Sequence, residues 1–245
     1  MCGDDWLWIK ARRINERTHD DAWFGTDLEG RKWLLKADSC CNQSYCERTF
    51  AALAQEIGIC CQSSVYLKLH PRSAPLKELI VPQPFYAASV WLDEHGAIPC
   101  CAECPLPNFG RIYKRAVPLE NLATLPIGNV TDWLRGELLA CLCGTFEPPG
   151  RLFTTNHIFV QIDNEGSWSG PKNFHECQWL YDIAGLQFCR DVYSRVAQLS
   201  DAKLDSIATL PAGLDSLTVS NLRSKLDEVQ QAAVDFMASL CSDRD

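Results

Sequence analysis

The feature that most constrains this chain is a change of hydrophobic period along its length. Trp6 to Ile9 and Arg31 to Lys36 read as strands flanking a polar stretch and the turn signal Asp27-Leu28-Glu29-Gly30, so the chain opens as an antiparallel sheet. From Ser44 to Ile57 the apolar positions Cys46, Phe50, Leu53, Ala54 and Ile57 fall on one helix face, which Gly58 closes. Val65, Leu67 and Leu69 then alternate again, and Leu79 to Val81 is a second short apolar run. A proline-rich stretch from Pro82 to about Asn129 has room for a further strand and a connection.

Beyond it the helical period takes over. Thr131 or Asp132 can cap a helix with Leu134, Leu138, Cys141 and Leu142 on one face and Gly144 at its end. His157 to Asp163 alternates as a half-buried strand. Further helices are predicted near Glu176 to Leu199, Asp201 to Leu210 and Ser220 to Leu240, the last with Leu222, Leu226, Val229, Phe236 and Leu240 on one stripe. The expected class is α+β, with two lobes sharing a cleft: residues 1–115 as a β-rich lobe with one helix, and 116–245 as a helical lobe. The 245 residues, 47% of them hydrophobic, are enough for a sizeable core.

A formal charge of -8 makes phosphate backbones and anionic lipids poor partners, so neither nucleic acid nor membrane is expected. Met1 to Asp5 lacks the basic and apolar regions of a secretory signal and no stretch is long enough for a membrane span, which points to the cytoplasm. In that compartment the 14 cysteines read first as small buried apolar side chains. Cys101-x-x-Cys104 has zinc-ligand spacing and needs a second pair, such as His175 and Cys177, to complete a site.

Phosphoryl transfer asks little covalent chemistry of a protein. It needs a lysine on the phosphates, an acid to hold that lysine, carboxylates on magnesium and a residue to orient the nucleophile. Lys36 ends the strand Trp33-Leu34-Leu35-Lys36, and Glu47 lies eleven residues on in the next helix. Ser44-x-x-Glu47 also has the form of a capping box, a competing use for the same carboxylate. Asp163 ends the strand Phe159-Val160-Gln161-Ile162-Asp163, where a metal-binding carboxylate belongs; with Asn164 and Gly166 it also makes an ordinary turn. Between helix and strand, Gly144 to Phe153 occupies the catalytic-loop position.

Other chemistries lack residues. Phosphate-binding Gly-rich loops, a zincin His-Glu-x-x-His and a dinucleotide-binding Gly-x-Gly-x-x-Gly after a strand are absent. Met1-Cys2-Gly3 has no partners for an N-terminal nucleophile, and Gly166-Ser167-Trp168-Ser169-Gly170 puts tryptophan where a nucleophile elbow needs serine.

The layout is that of protein kinases. The strand ending at Lys36, the helix with Glu47, Ala54-Gln55-Glu56-Ile57-Gly58-Ile59, Leu138 to Gly144, the loop, and Val160-Gln161-Ile162-Asp163-Asn164-Glu165 together resemble the HipA-like kinases, bacterial phosphotransferases of protein-kinase fold. The similarity runs thinly from about Gly25 to Leu210. The resemblance implies a loop asparagine, a catalytic aspartate followed by arginine, a metal asparagine and a strand-end metal aspartate. These fall on Thr145, Glu147, Pro148, Arg151 and Asp163, so only the last keeps its residue type.

Glu147 carries its carboxylate one methylene farther out, and a displacement of about 1 Å can cost on the order of a hundredfold in rate. Arg151 repels magnesium, although a guanidinium can neutralise phosphate oxygens directly. The expectation is therefore an ATP-dependent phosphotransferase of protein Ser/Thr kinase type with a modified loop, using ATP and Mg2+ on a possible protein or peptide acceptor. Lys36, Glu147 and Arg151 take the catalytic positions; Lys36, Glu47 and Asp163 bind nucleotide, with Asp163 on the metal. The alternative is an inactive pseudokinase that binds a nucleotide or a partner.

Overall fold

Every residue from Trp133 to Cys143 except Arg135 is buried, so the helix that carries them is surrounded on all sides. The computed structural model of the protein describes residues 10–13, 21–26, 32–37, 43–59, 61, 64–67, 86–90, 97–99, 130–144, 150–154, 159–162, 168, 170–171, 178–209 and 216–242. Its helices are α1 (Gln43–Glu56), α2 (Val130–Cys143), α3 (Gln178–Ala184), α4 (Leu186–Ala197), α5 (Asp201–Ala208) and α6 (Ser216–Ser242). The all-round helix is α2, which contacts α1, α3, α4 and α6.

Two antiparallel backbone ladders accompany the helices. Strands β1 (Lys10–Arg13), β2 (Asp21–Thr26), β3 (Lys32–Ala37), β4 (Ser64–Leu67) and β5 (Tyr86–Val90) pair in the order β1-β2-β3-β5-β4. Strands β6 (Ala97–Pro99), β7 (Gly150–Thr154) and β8 (Phe159–Ile162) pair in the order β6-β7-β8.

The structure corrects the expected fold class. Periodicity predicts a bilobal α+β arrangement, an N-terminal antiparallel sheet lobe set against a helical C-terminal lobe. Instead, the packed body of the described residues is helical, and its buried side chains form one core cluster. Helix α1, expected in the sheet lobe, is part of that core: Phe50, Leu53 and Ala54 are fully buried and join the cluster that holds Leu138, Leu142 and Ile207. No N-terminal sheet lobe with a core of its own stands among the described residues. The physical reason is that an amphipathic period reveals which face of a helix is apolar but not which neighbour covers it. The expected boundary near Arg115 and the run Leu79 to Val81 lie outside the described residues.

Element by element, other expectations shift. Strand β2 occupies residues read as a polar stretch, and the strand expected at Trp6 to Ile9 lies outside the described residues; β5 falls in the proline-rich stretch, where a further strand is expected. The helix expected from Glu176 to Leu199 is two, α3 and α4, broken at Gly185, whose φ of 80° is left-handed. Helix α2 starts before both Thr131 and Asp132, and Asp132 instead pairs with Arg135 at 2.9 Å within the first turn. The stripe of α6 holds, with Leu222, Leu226, Val229 and Phe236 all buried.

Side-chain bonds join the helices. Gln230 of α6 donates to the carbonyls of Ala197 (3.2 Å) and Leu199 (2.7 Å), satisfying acceptors at the exposed end of α4. Arg223 of α6 bonds Asp201 (2.8 Å) and Asp205 (2.7 Å) of α5 and also pairs with Asp227. The buried Tyr193 hydroxyl donates to that of Tyr181 at 3.0 Å, and the rings meet edge to face.

Of the described cysteines, Cys46, Cys141, Cys143 and Cys189 are buried and Cys61 is half-buried. Burial, and next the neighbouring Cys46, push the Cys143 thiol far above its ordinary value of 9.0. The folded state thus keeps this thiol neutral while the unfolded chain ionises it, so its stability contribution is complete below the ordinary thiol value and is lost as pH rises above it. The unfolding free energy should therefore fall between about pH 8 and pH 10.5, by at most about 1.4 kcal/mol per pH unit for this group, and the melting temperature with it. Cys143→Ala should flatten part of that fall; thermal denaturation of both proteins across the range checks it, and parallel curves would count against it.

Candidate functional site

The site is built around α1. The helix ends as its sequence dictates: Gly58, with φ of 77°, lets its own N–H reach the Gln55 carbonyl (3.1 Å) and the Ile59 N–H reach the Ala54 carbonyl (2.8 Å). Ile59 is buried and seals the turn. Two guanidinium groups then fix α1 to the body. Arg48 donates to the Ile207 carbonyl of α5 (2.7 Å), and Arg195 of α4 donates to the Ile57 carbonyl (3.0 Å). An outer ion pair, Lys203 to Glu56 at 2.8 Å, adds little because both partners are partly solvated.

This mounting carries Glu47 inward, to 3% exposure. Carboxylates are almost never buried so fully unless a charge or hydrogen-bond partner compensates them. Because α1 begins at Gln43, Ser44 lies inside the first turn, and Glu47 is a buried residue rather than the surface arm of a capping box. Helix α1 contacts α2 and α5 and also meets β4 and β5.

The other sequence-predicted positions are placed by the backbone. Lys36 is on β3, between Ala22 of β2 and Ala87 of β5, and β5 in turn meets α1. A path of adjacent elements thus runs from Lys36 to Glu47. Arg151, expected in a loop, is on strand β7 opposite Gln161 of β8. Strand β8 contacts α2 and ends at Ile162, immediately before Asp163. Asp163, Glu147, Thr145 and Pro148 lie outside the described residues, as do Cys101, Cys104, His175 and Cys177 of the zinc reading. Among the described residues no group of His, Cys, Asp and Glu side chains is arranged to hold a metal.

One residue at the site carries no signal as a motif. Trp168, in the segment set aside as a failed nucleophile elbow, is buried and has φ of 81°, a left-handed conformation uncommon outside glycine. Its indole Nε1–H donates to the Cys46 carbonyl of α1 at 3.0 Å. Its backbone N–H donates to the Cys143 carbonyl at the end of α2 (2.7 Å), and its own carbonyl accepts from Lys225 Nζ of α6 (3.2 Å). A large aromatic among small turn residues was the available clue, because such a ring is seldom left in water.

Within α2, the buried Glu137 carboxylate accepts from the Trp133 indole at 2.9 Å. Arg135 lies over the Phe188 ring at 5.8 Å. No helix among the described residues is long and apolar enough to cross a membrane.

With this geometry in hand, the chain can be set beside known proteins. No protein-family model matches it, and neither does any curated protein. Among solved structures it is similar to a Helicobacter pylori proinflammatory kinase, CtkA, with a TM-score of 0.64 at 12% sequence identity, covering 99% of each chain. The chain therefore has a kinase-like fold.

The two guanidinium bonds that mount α1 set an expectation for stability. Arg48→Gln and Arg195→Gln should each destabilise the protein by about 1–2 kcal/mol, because each removes a charged donor from a helix carbonyl. Urea unfolding midpoints unchanged in both variants would show that the mounting depends on apolar packing alone.

Proposed function

We propose that this protein is a nucleotide-binding phosphotransferase of the HipA-like kind, acting in the cytoplasm on ATP and Mg2+. The observation that carries the reading is Glu47: a buried carboxylate on a helix packed against the strand that pairs with β3, where Lys36 resides. A buried acid beside a strand bearing a lysine is what phosphate clamping requires, since the acid holds the ammonium in place for the α- and β-phosphates. The kinase-like fold supports the same reading.

In this proposal Lys36 neutralises the α- and β-phosphates, Glu47 orients Lys36, and Asp163 holds magnesium. Arg151 offsets charge on the transferring group. The acceptor oxygen bonds the γ-phosphorus as the bond to the bridging oxygen breaks, ADP leaves, and the acceptor proton passes to Glu147. A protein or peptide hydroxyl is the acceptor class the resemblance suggests.

The loop composition favours a second reading. With Glu147 for aspartate, Pro148 for arginine and Arg151 for the metal asparagine, the chain can retain nucleotide binding without turnover. Both readings share the nucleotide site, and transfer separates them.

Calorimetric titration of ATP with and without magnesium tests the shared part. Wild type should bind ATP in a magnesium-dependent manner, Lys36→Met should lose binding, and Asp163→Asn should lose the magnesium dependence. Binding that is equal in all three proteins, or absent from the wild type, would remove the assignment. Transfer of labelled γ-phosphate to a protein acceptor, abolished by Glu147→Gln, would favour the enzyme over the binding module.

A further inference from the structure

We propose that Trp168 is the positioning residue of this site, tying the Glu47 end of α1 to the end of α2 from which the segment containing Glu147 departs. The inference rests on the nucleotide-site reading above and extends it to a residue that the kinase pattern does not specify. Its physical basis is convergence. The indole N–H reaches the carbonyl of Cys46, the residue immediately before Glu47, while the backbone N–H of the same residue reaches the carbonyl of Cys143, the last residue of α2. The third bond, from Lys225, anchors the Trp168 carbonyl to α6.

Trp168 also follows by five residues Asp163, the position that the nucleotide-site reading gives to the metal carboxylate. Cys46, Cys143 and Trp168 are all buried in the core cluster, so water cannot replace a lost indole donor without opening the core. The left-handed backbone at Trp168 costs free energy and persists only where its surroundings over-determine it, as these three bonds do.

Packing alone is the competing account, and it is separable. Phenylalanine retains most of the ring and removes only the N–H donor. Under the proposal Glu47 shifts when that donor is lost, and the affinity of the folded protein for MgATP falls. A packing role would lower the melting temperature and leave that affinity unchanged.

Arg195→Gln is the matched control. It too removes a side-chain donor from an α1 carbonyl, but at Ile57, about 15 Å along the helix from Glu47. Calorimetry with MgATP, at a temperature where all variants are folded, should give Trp168→Phe an affinity about fivefold below wild type and Arg195→Gln an affinity equal to it. Affinity within about twofold of wild type for Trp168→Phe, or an equal loss in both variants, would overturn the positioning role while leaving the nucleotide site standing. Absence of MgATP binding in the wild type would instead sink the site itself and the proposal with it. Should Trp168→Phe fail to fold, Lys225→Met removes only the bond to the Trp168 carbonyl; a loss of at least about twofold supports the role, and no loss overturns it.

Discussion

The burial of α1 in the helical body is the constraint on which the remaining geometry depends. Phe50, Leu53 and Ile57 leave water completely or nearly so, each worth roughly 1.5–3 kcal/mol of transfer free energy before the entropy of ordering is counted. That gain is large enough to bring Glu47 inside with them, because the helix cannot rotate its acidic residue outward without exposing the apolar face. The position of the carboxylate is thus a by-product of hydrophobic packing, made specific by the polar bonds at either end of the helix.

Those polar bonds share a pattern. Arg48, Arg195, Trp168, Lys225 and Gln230 all donate from side chains to backbone carbonyls of other elements. Side chain to backbone bonds of this kind set the angle and depth at which helices meet, whereas apolar contact is tolerant of small slides. The helical body therefore has an apolar interior that supplies cohesion and a set of long-range donors that supply register. Helix α2, buried nearly all round, is the element that most of the others pack against.

Local elements were largely legible in the sequence. Gly58 ends α1 with the predicted turn, and the α6 stripe from Leu222 to Phe236 is buried as its spacing requires. What was not legible is what depends on partners. Periodicity placed α1 with a sheet lobe because nothing in a helix face names its neighbour; the structure joins its buried residues to the helical core, and the helix also meets β4 and β5. Gly185 looks like a tolerated residue within an apolar helical period, yet its left-handed φ splits α3 from α4. Of the candidate site, Lys36 and Glu47 were chosen from chemistry plus spacing; the backbone puts β3, β5 and α1 along a connected path between them, which spacing alone does not give. Arg151 was assigned to a loop because Gly150 and the preceding prolines read as irregular chain, but it belongs to a strand paired with β8. Trp168 escaped because its three bonds reach residues 25 to 122 positions away in sequence or contact α6 from the far side, beyond the reach of any local pattern.

A kinase-like fold at 12% identity illustrates which demands are strict. Cores tolerate extensive exchange of apolar residues provided volume and pattern are kept, so a fold can persist after nearly every side chain has changed. Phosphoryl transfer is less forgiving, because its catalysis is almost wholly placement and charge. Under the proposed function, Glu147 in place of an aspartate and Arg151 on a strand would ask for placement to be recovered elsewhere. Rigid long-range donors are the means this structure offers. By tying Cys46 of α1 to Cys143 of α2, the two Trp168 donors hold the Glu47 end of α1 against the helical body.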